Sequence, residues 1–209
     1  MGLHEECHRQ RVIPSDSGSL PLRGGNLVIL ICDVGDRQYV AALNKQTGET
    51  VWEKDRPEMD APDGDRKKSF DTPIAVTDEA GRRQVICMGS QWIVAYDPST
   101  GDEIWKLNHG KGFSVVPRPV VGDGIVYFST GFGKPELWGV RINGSGDVTN
   151  THVVWKEPKS IPAMPSPLYS EGRLYVIDDK GVATCFRAAD GTVLWKERVA
   201  GNTVVAIAG

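Results

Sequence analysis

The sequence predicts an all-β chain assembled from about four repeated four-stranded antiparallel units. Three observations carry that reading: short apolar runs, no helical periodicity of any length, and one turn-plus-tryptophan pattern that keeps returning. The runs Leu27 to Cys32 (LVILIC), Val85 to Met88 (VICM) and Ile125 to Phe128 (IVYF) are apolar throughout. Strands covered on both faces read that way, whereas half-exposed strands alternate.

The repeat is explicit in Leu43 to Lys54 (LNKQTGETVWEK), Tyr96 to Leu107 (YDPSTGDEIWKL) and Phe186 to Glu197 (FRAADGTVLWKE). Each has a turn ending in glycine (Gly48, Gly101, Gly191), three residues, then tryptophan (Trp52, Trp105, Trp195). A looser copy, Leu137 to Glu157, has a longer loop and Trp155 in the repeated position. The tryptophans recur at intervals of 53, 50 and 40 residues, which suits a four-stranded unit with variable loops. Turn chemistry explains the spacing. Asp97 suits the first position of a type I turn, Pro98 pre-sets the next φ, and Gly101 takes the left-handed conformation that closes the hairpin.

In chain order the first unit, 18–55, opens with Leu20 to Asp33. The second, 70–108, carries Thr72 to Tyr96, and the third, 115–158, begins with Pro117 to Thr130. The fourth, 164–200, is the clearest: SPLYS, RLYVID, GVATCFR and TVLWKERV are four short strands joined by tight turns. Residues 201–209 (GNTVVAIAG) read as the approach to a fifth unit, and 1–17 as a polar leader. Four-stranded blades packed face to face around an axis bury both faces of such strands, which is a β-propeller. Four blades are at the low limit for a closed ring, so the expectation is an open partial arc with unpartnered faces at its two ends, and self-association through them.

The pattern in VAALNKQTGETVW and IVAYDPSTGDEIW resembles the blade signature of the PQQ-like propeller repeat family. That family includes quinoprotein alcohol dehydrogenases and the propeller lipoprotein of the outer-membrane β-barrel assembly machinery. The resemblance covers roughly residues 20–199. It implies that Trp52, Trp105, Trp155 and Trp195 dock between neighbouring blades. It also implies an exported or periplasmic setting for the full-length protein, although no signal peptide is legible in this chain.

Two functional classes follow: a non-catalytic module that binds a protein or other macromolecule, and a quinoprotein-type oxidoreductase or a degenerate relative. The dehydrogenases, by the same resemblance, hold PQQ with adjacent cysteines, a stacking tryptophan and ligands to Ca²⁺. Cys7, Cys32, Cys87 and Cys185 are far apart, so no cofactor is expected and the binding module is favoured. No catalytic, cofactor-binding or metal-binding residue is assigned. The acidic loop Glu58 to Asp65 lacks calcium-loop spacing, and Gly131 to Pro135 (GFGKP) is no phosphate loop. Residues 4–8 (HEECH) match the zinc-protease pattern, but the helix that pattern needs has no room before His4 and meets loop residues after His8. Trp92 and Trp138 lie outside the docking position and read as packing. The net charge of −3 gives no basic footprint for nucleic acid, and the longest apolar run is far short of a membrane span.

Overall fold

The computed structural model describes residues 22–34, 37–110 and 112–199. Four antiparallel meanders follow one another along the chain. The first comprises β1 (Leu22–Gly24), β2 (Leu27–Asp33), β3 (Gln38–Asn44) and β4 (Thr50–Asp55). The second comprises β5 (Ile74–Thr77), β6 (Arg83–Met88), β7 (Trp92–Tyr96) and β8 (Glu103–Asn108). In the third, β9 (Val120–Gly122), β10 (Ile125–Ser129) and β11 (Leu137–Arg141) pair in order, and β13 (Val153–Glu157) completes the sheet. The fourth holds β14 (Leu168–Ser170), β15 (Arg173–Ile177), β16 (Val182–Arg187) and β17 (Val193–Arg198). The HEECH segment, the 1–17 leader, Cys7 and residues 201–209 lie outside the described residues.

The sheets stack as blades of an open propeller arc, and the strand pattern shows why. In β6, Val85 and Cys87 face the first blade, whereas Ile86 and Met88 face the third. In β10, Val126 and Phe128 pack toward the second blade while Tyr127 packs toward the fourth. Side chains alternate across a strand, so a strand buried on both sides must be apolar at every position. Three separate core clusters result, one per blade junction, and none joins the first blade to the fourth among the described residues.

The fourth strand of each meander carries a bulge at the repeated tryptophan. Register shifts follow Ala42, Ala95, Gly139 and Cys185, the small residues opposite Trp52, Trp105, Trp155 and Trp195. A small neighbour on the third strand leaves space for the indole, and the bulge twists the outer strand toward the next blade.

The long loop after β11 departs from the repeat. Instead of a tight turn it sends β12 (Gly146–Asp147) across to pair in parallel with β8, the outer strand of the second blade. The second sheet thereby gains a fifth strand. Among the described residues no helix is long and apolar enough to cross a membrane.

Candidate functional site

The repeated tryptophan and the turn glycine of the following blade form a knob and socket. Trp52 donates its indole N–H to the Pro98 carbonyl at 3.0 Å, across the junction of the first two blades. Its ring lies where a Cβ on Gly101 would stand, 2.6 Å from that position, and Gly101 has φ +74°. A side chain there would be strained and would also strike the indole, so glycine is required twice over. Trp155 repeats the arrangement in the fourth blade: its N–H reaches the Ala188 carbonyl at 2.8 Å and its ring lies 2.7 Å from a Cβ on Gly191. In both cases the accepting carbonyl sits three residues before the glycine.

Trp105 is fully buried between the second and third blades, yet no glycine turn receives it, because the β11–β13 loop has replaced that turn. Gln84 stands in. Its Oε1 accepts the Trp105 indole N–H at 2.7 Å, and its Nε2 donates to the Ile142 carbonyl of the third blade at 3.1 Å. Val148 from the same loop packs into this cluster.

Trp195, at the last described blade, is 42% exposed. No blade among the described residues covers β17, all six of whose residues are exposed. Tyr175 lies alongside it, with ring centroids 6.1 Å apart. At the opposite end of the arc, Gly48 has φ +75°, and no atom lies within 4 Å of where its Cβ would be. Among the described residues Trp195 is thus a knob without a socket and Gly48 a socket without a knob.

The opposite ends of the strands carry the longer loops and two clefts. One, of about 730 Å³ between the second and third blades, is lined by His109, Thr130, Lys134, Glu136, Trp138 and Lys156. Trp138 donates to Glu136 at 2.8 Å and lies under the Lys156 ammonium, 3.4 Å from the ring centroid. Trp92 donates to the Glu58 carbonyl at 3.0 Å and packs against the first junction. The other cleft, about 610 Å³ between the third and fourth blades, is lined by Lys134, Asp178, Asp179, Lys180, Lys196 and Arg198.

Behind these loops a buried polar group joins the first two blades. Arg56, just past β4, has no exposed side-chain surface and folds onto Gly89, where a Cβ has no room. Its Nε stands 3.6 Å from Asp33, and its Nη2 donates to the Cys87 and Trp92 carbonyls at 3.4 and 3.3 Å. Burial pushes the Asp33 carboxyl up to about 7, with Arg56 pulling the other way, and raises Asp71 well above its ordinary range. His109 Nε2 bonds the Gly89 carbonyl at 2.9 Å, so that nitrogen carries the proton, and burial lowers its pKa to about 4. The neutral imidazole and the nearby guanidinium thus coexist at neutral pH.

The family described as outer membrane protein assembly factor BamB matches residues 6–197. The chain belongs to that family. Its structure is similar to BamB from Moraxella catarrhalis, with TM-score 0.62 and 20% identity over 87% of this chain and 51% of that one. It is also similar to a europium-containing methanol dehydrogenase, with TM-score 0.61 and 12% identity over 88% and 42% of the two chains. Quinohemoprotein alcohol dehydrogenase from Comamonas testosteroni gives TM-score 0.59 and 15% identity over 88% and 35%. At these identities the structural likenesses establish the fold. Among curated proteins none matches. This BamB-family chain spans about half the length of the BamB structure it matches.

Cys32, Cys87 and Cys185 are free, buried and in different blades. Among the described residues no group of three or more His, Cys, Asp or Glu side chains is placed to hold a metal ion.

Proposed function

We propose that the chain is a non-catalytic PQQ-like propeller module that binds a macromolecular partner, a protein in the first instance, on the outer-membrane side of an exported setting. One observation carries the reading. The position occupied by Trp195 is a blade-docking surface wherever it recurs at Trp52 and Trp155, and here it is open to solvent. Exposed Val193 and Leu194 on β17, and Val199 just after it, extend it. Apolar surface of this kind on a repeat edge marks association. Membership of the BamB family supports the same choice.

The test places a photo-crosslinking amino acid at Leu194 and, as control, at exposed Asn150 in cells expressing the chain. A discrete protein adduct at 194 and none at 150 is expected. The dehydrogenase-like fold keeps one second reading in play, a quinoprotein-type oxidoreductase. Saturable binding of PQQ with Ca²⁺ together with dye-linked alcohol oxidation, and no adduct at 194, overturns the binding-module reading.

A further inference from the structure

We infer that the loop between β10 and β11, residues 130–136, together with the two clefts it separates, is a docking surface for an extended acidic segment of a partner polypeptide. It extends the binding-module reading to a second surface, distinct from the Trp195 edge and placed between blades that are described on both sides.

The loop carries GFGKP, which lacks phosphate-loop spacing but is held in one shape. Gly131 has φ +81°, and a Cβ on it would lie 2.6 Å from the Phe113 carbonyl oxygen. That same oxygen accepts the Phe132 N–H at 2.8 Å. Thr130 and Glu136 close the base of the loop. The Thr130 N–H reaches the Glu136 carbonyl and the Glu136 N–H reaches Thr130 Oγ1, each at 3.0 Å. From this pinned base the loop presents Phe132, 37% exposed, and exposed Lys134. Gly133 and Lys134 line both clefts, so one surface runs from the second blade to the fourth.

The charges around the loop are one-sided. Lys134 and Lys156 line the first cleft, and Lys134, Lys180, Lys196 and Arg198 line the second. Lys196 and Arg198 lie on the face of β17 opposite Trp195, and Lys196 reaches Ser160 Oγ, just past the third blade, at 2.6 Å. Among the described residues none of the five cations forms an ion pair. The three carboxylates that share the clefts are committed to the fold. Glu136 accepts from Trp138, Asp178 from the Lys180 and Val182 N–H groups, and Asp179 from the Ala163 N–H. A chain of net charge −3 thus gathers unneutralised cations around a single loop.

That net charge repels a long polyanion or an anionic membrane surface beyond the immediate contact. The cations are also interrupted by apolar surface, from Trp138 in one cleft and Pro135, Pro158 and Ile161 in the other. An extended polypeptide offers carboxylates and apolar side chains within one short span, which a uniform phosphate polymer does not.

Fluorescence anisotropy would follow a labelled peptide of about ten residues, glutamates with interspersed leucines, that spans about 33 Å when extended. It is titrated with the 209-residue chain, beside its glutamine counterpart, inorganic polyphosphate and vesicles of anionic phospholipid. Saturable binding of the glutamate peptide and not of its glutamine counterpart is expected. Lys134→Gln and Lys180→Gln should each weaken it about threefold, less at high salt. Phe132→Ala should weaken it about fivefold. Lys134→Arg should keep the affinity, and Arg83→Gln, the same charge loss at the far end of β6, should leave it unchanged. No saturable binding up to about 1 mM, or an equal loss in Arg83→Gln, overturns the inference. So does tighter binding of polyphosphate or vesicles through the same lysines, which would make the surface a phosphate site. The adduct at Leu194 is read independently, so failure here leaves the binding-module reading standing.

Discussion

Gln84 joins Trp105 to the third blade: the carboxamide accepts the indole N–H at 2.7 Å and donates to the Ile142 carbonyl at 3.1 Å. At the flanking junctions the tryptophan reaches the next blade's carbonyl directly. The relay thus compensates for a loop that has abandoned the repeated turn. Replacing Gln84 with methionine keeps the volume and removes both polar ends, stranding a buried donor and a buried acceptor. An unpaired buried polar group costs about 1–3 kcal/mol, so Gln84→Met should lose about 2–4 kcal/mol in urea denaturation. A loss under about 0.5 kcal/mol would mean that the relay contributes nothing to holding the blades together.

Trp105 itself is the largest of the fully buried side chains. Trp105→Ala leaves a cavity in the core cluster that also holds Ile86, Ile93, Leu107 and Val140, and the flanking sheets limit collapse. The expected cost is about 3–5 kcal/mol, read from the shift in denaturation midpoint at constant m-value. A cost below about 1 kcal/mol would reject the packing assignment.

The blades were legible in the sequence because their signals are local. Turn glycines, flanking acids and the following tryptophan lie within a dozen residues, and continuous runs such as LVILIC report burial on both faces. The features that tie blades together were not. Gln84 sits in RRQVICM, where a glutamine at a strand start reads as an ordinary surface residue; its role depends on a loop 58 residues away. The loop itself was visible as a longer copy of the repeat, but its parallel pairing with β8 leaves no local pattern. Asp33 and Arg56 look like charges at strand ends, and only the stacking of two blades buries them. Trp195 carries the same motif as Trp52, yet its exposure is decided by what stands beyond the strand rather than by its own residues.

Gly101 and Gly48 separate backbone strain from docking. Both have positive φ, +74° and +75°, so alanine at either position bears the left-handed penalty of about 1–2 kcal/mol. At Gly101 the new methyl also meets Trp52, whereas at Gly48 it meets nothing within 4 Å. Overpacking of that kind adds about 1–3 kcal/mol. Gly101→Ala should therefore be the more destabilising by about that margin in parallel thermal and urea melts. Equal losses would show that Trp52 moves aside freely.

His109 makes stability depend on pH in a direction that can be assigned. Its pKa falls from about 6.5 to about 4 on folding, because burial disfavours the imidazolium. Between those values the unfolded chain binds a proton that the folded chain does not. The stabilising contribution is complete above about pH 6.5 and is lost as pH falls toward 4, at about 1.4 kcal/mol per pH unit. Asp33 is shifted oppositely, with its carboxyl raised to about 7, so its contribution is lost as pH rises and the two partly cancel in the intact protein. Comparing the chain with His109→Gln isolates the histidine, since glutamine can still donate to the Gly89 carbonyl. The stability of the unmodified chain relative to His109→Gln should decline steadily from pH 6.5 to 4.5 in urea titrations. A difference that stays flat across that window would show that His109 takes up its proton without leaving the fold.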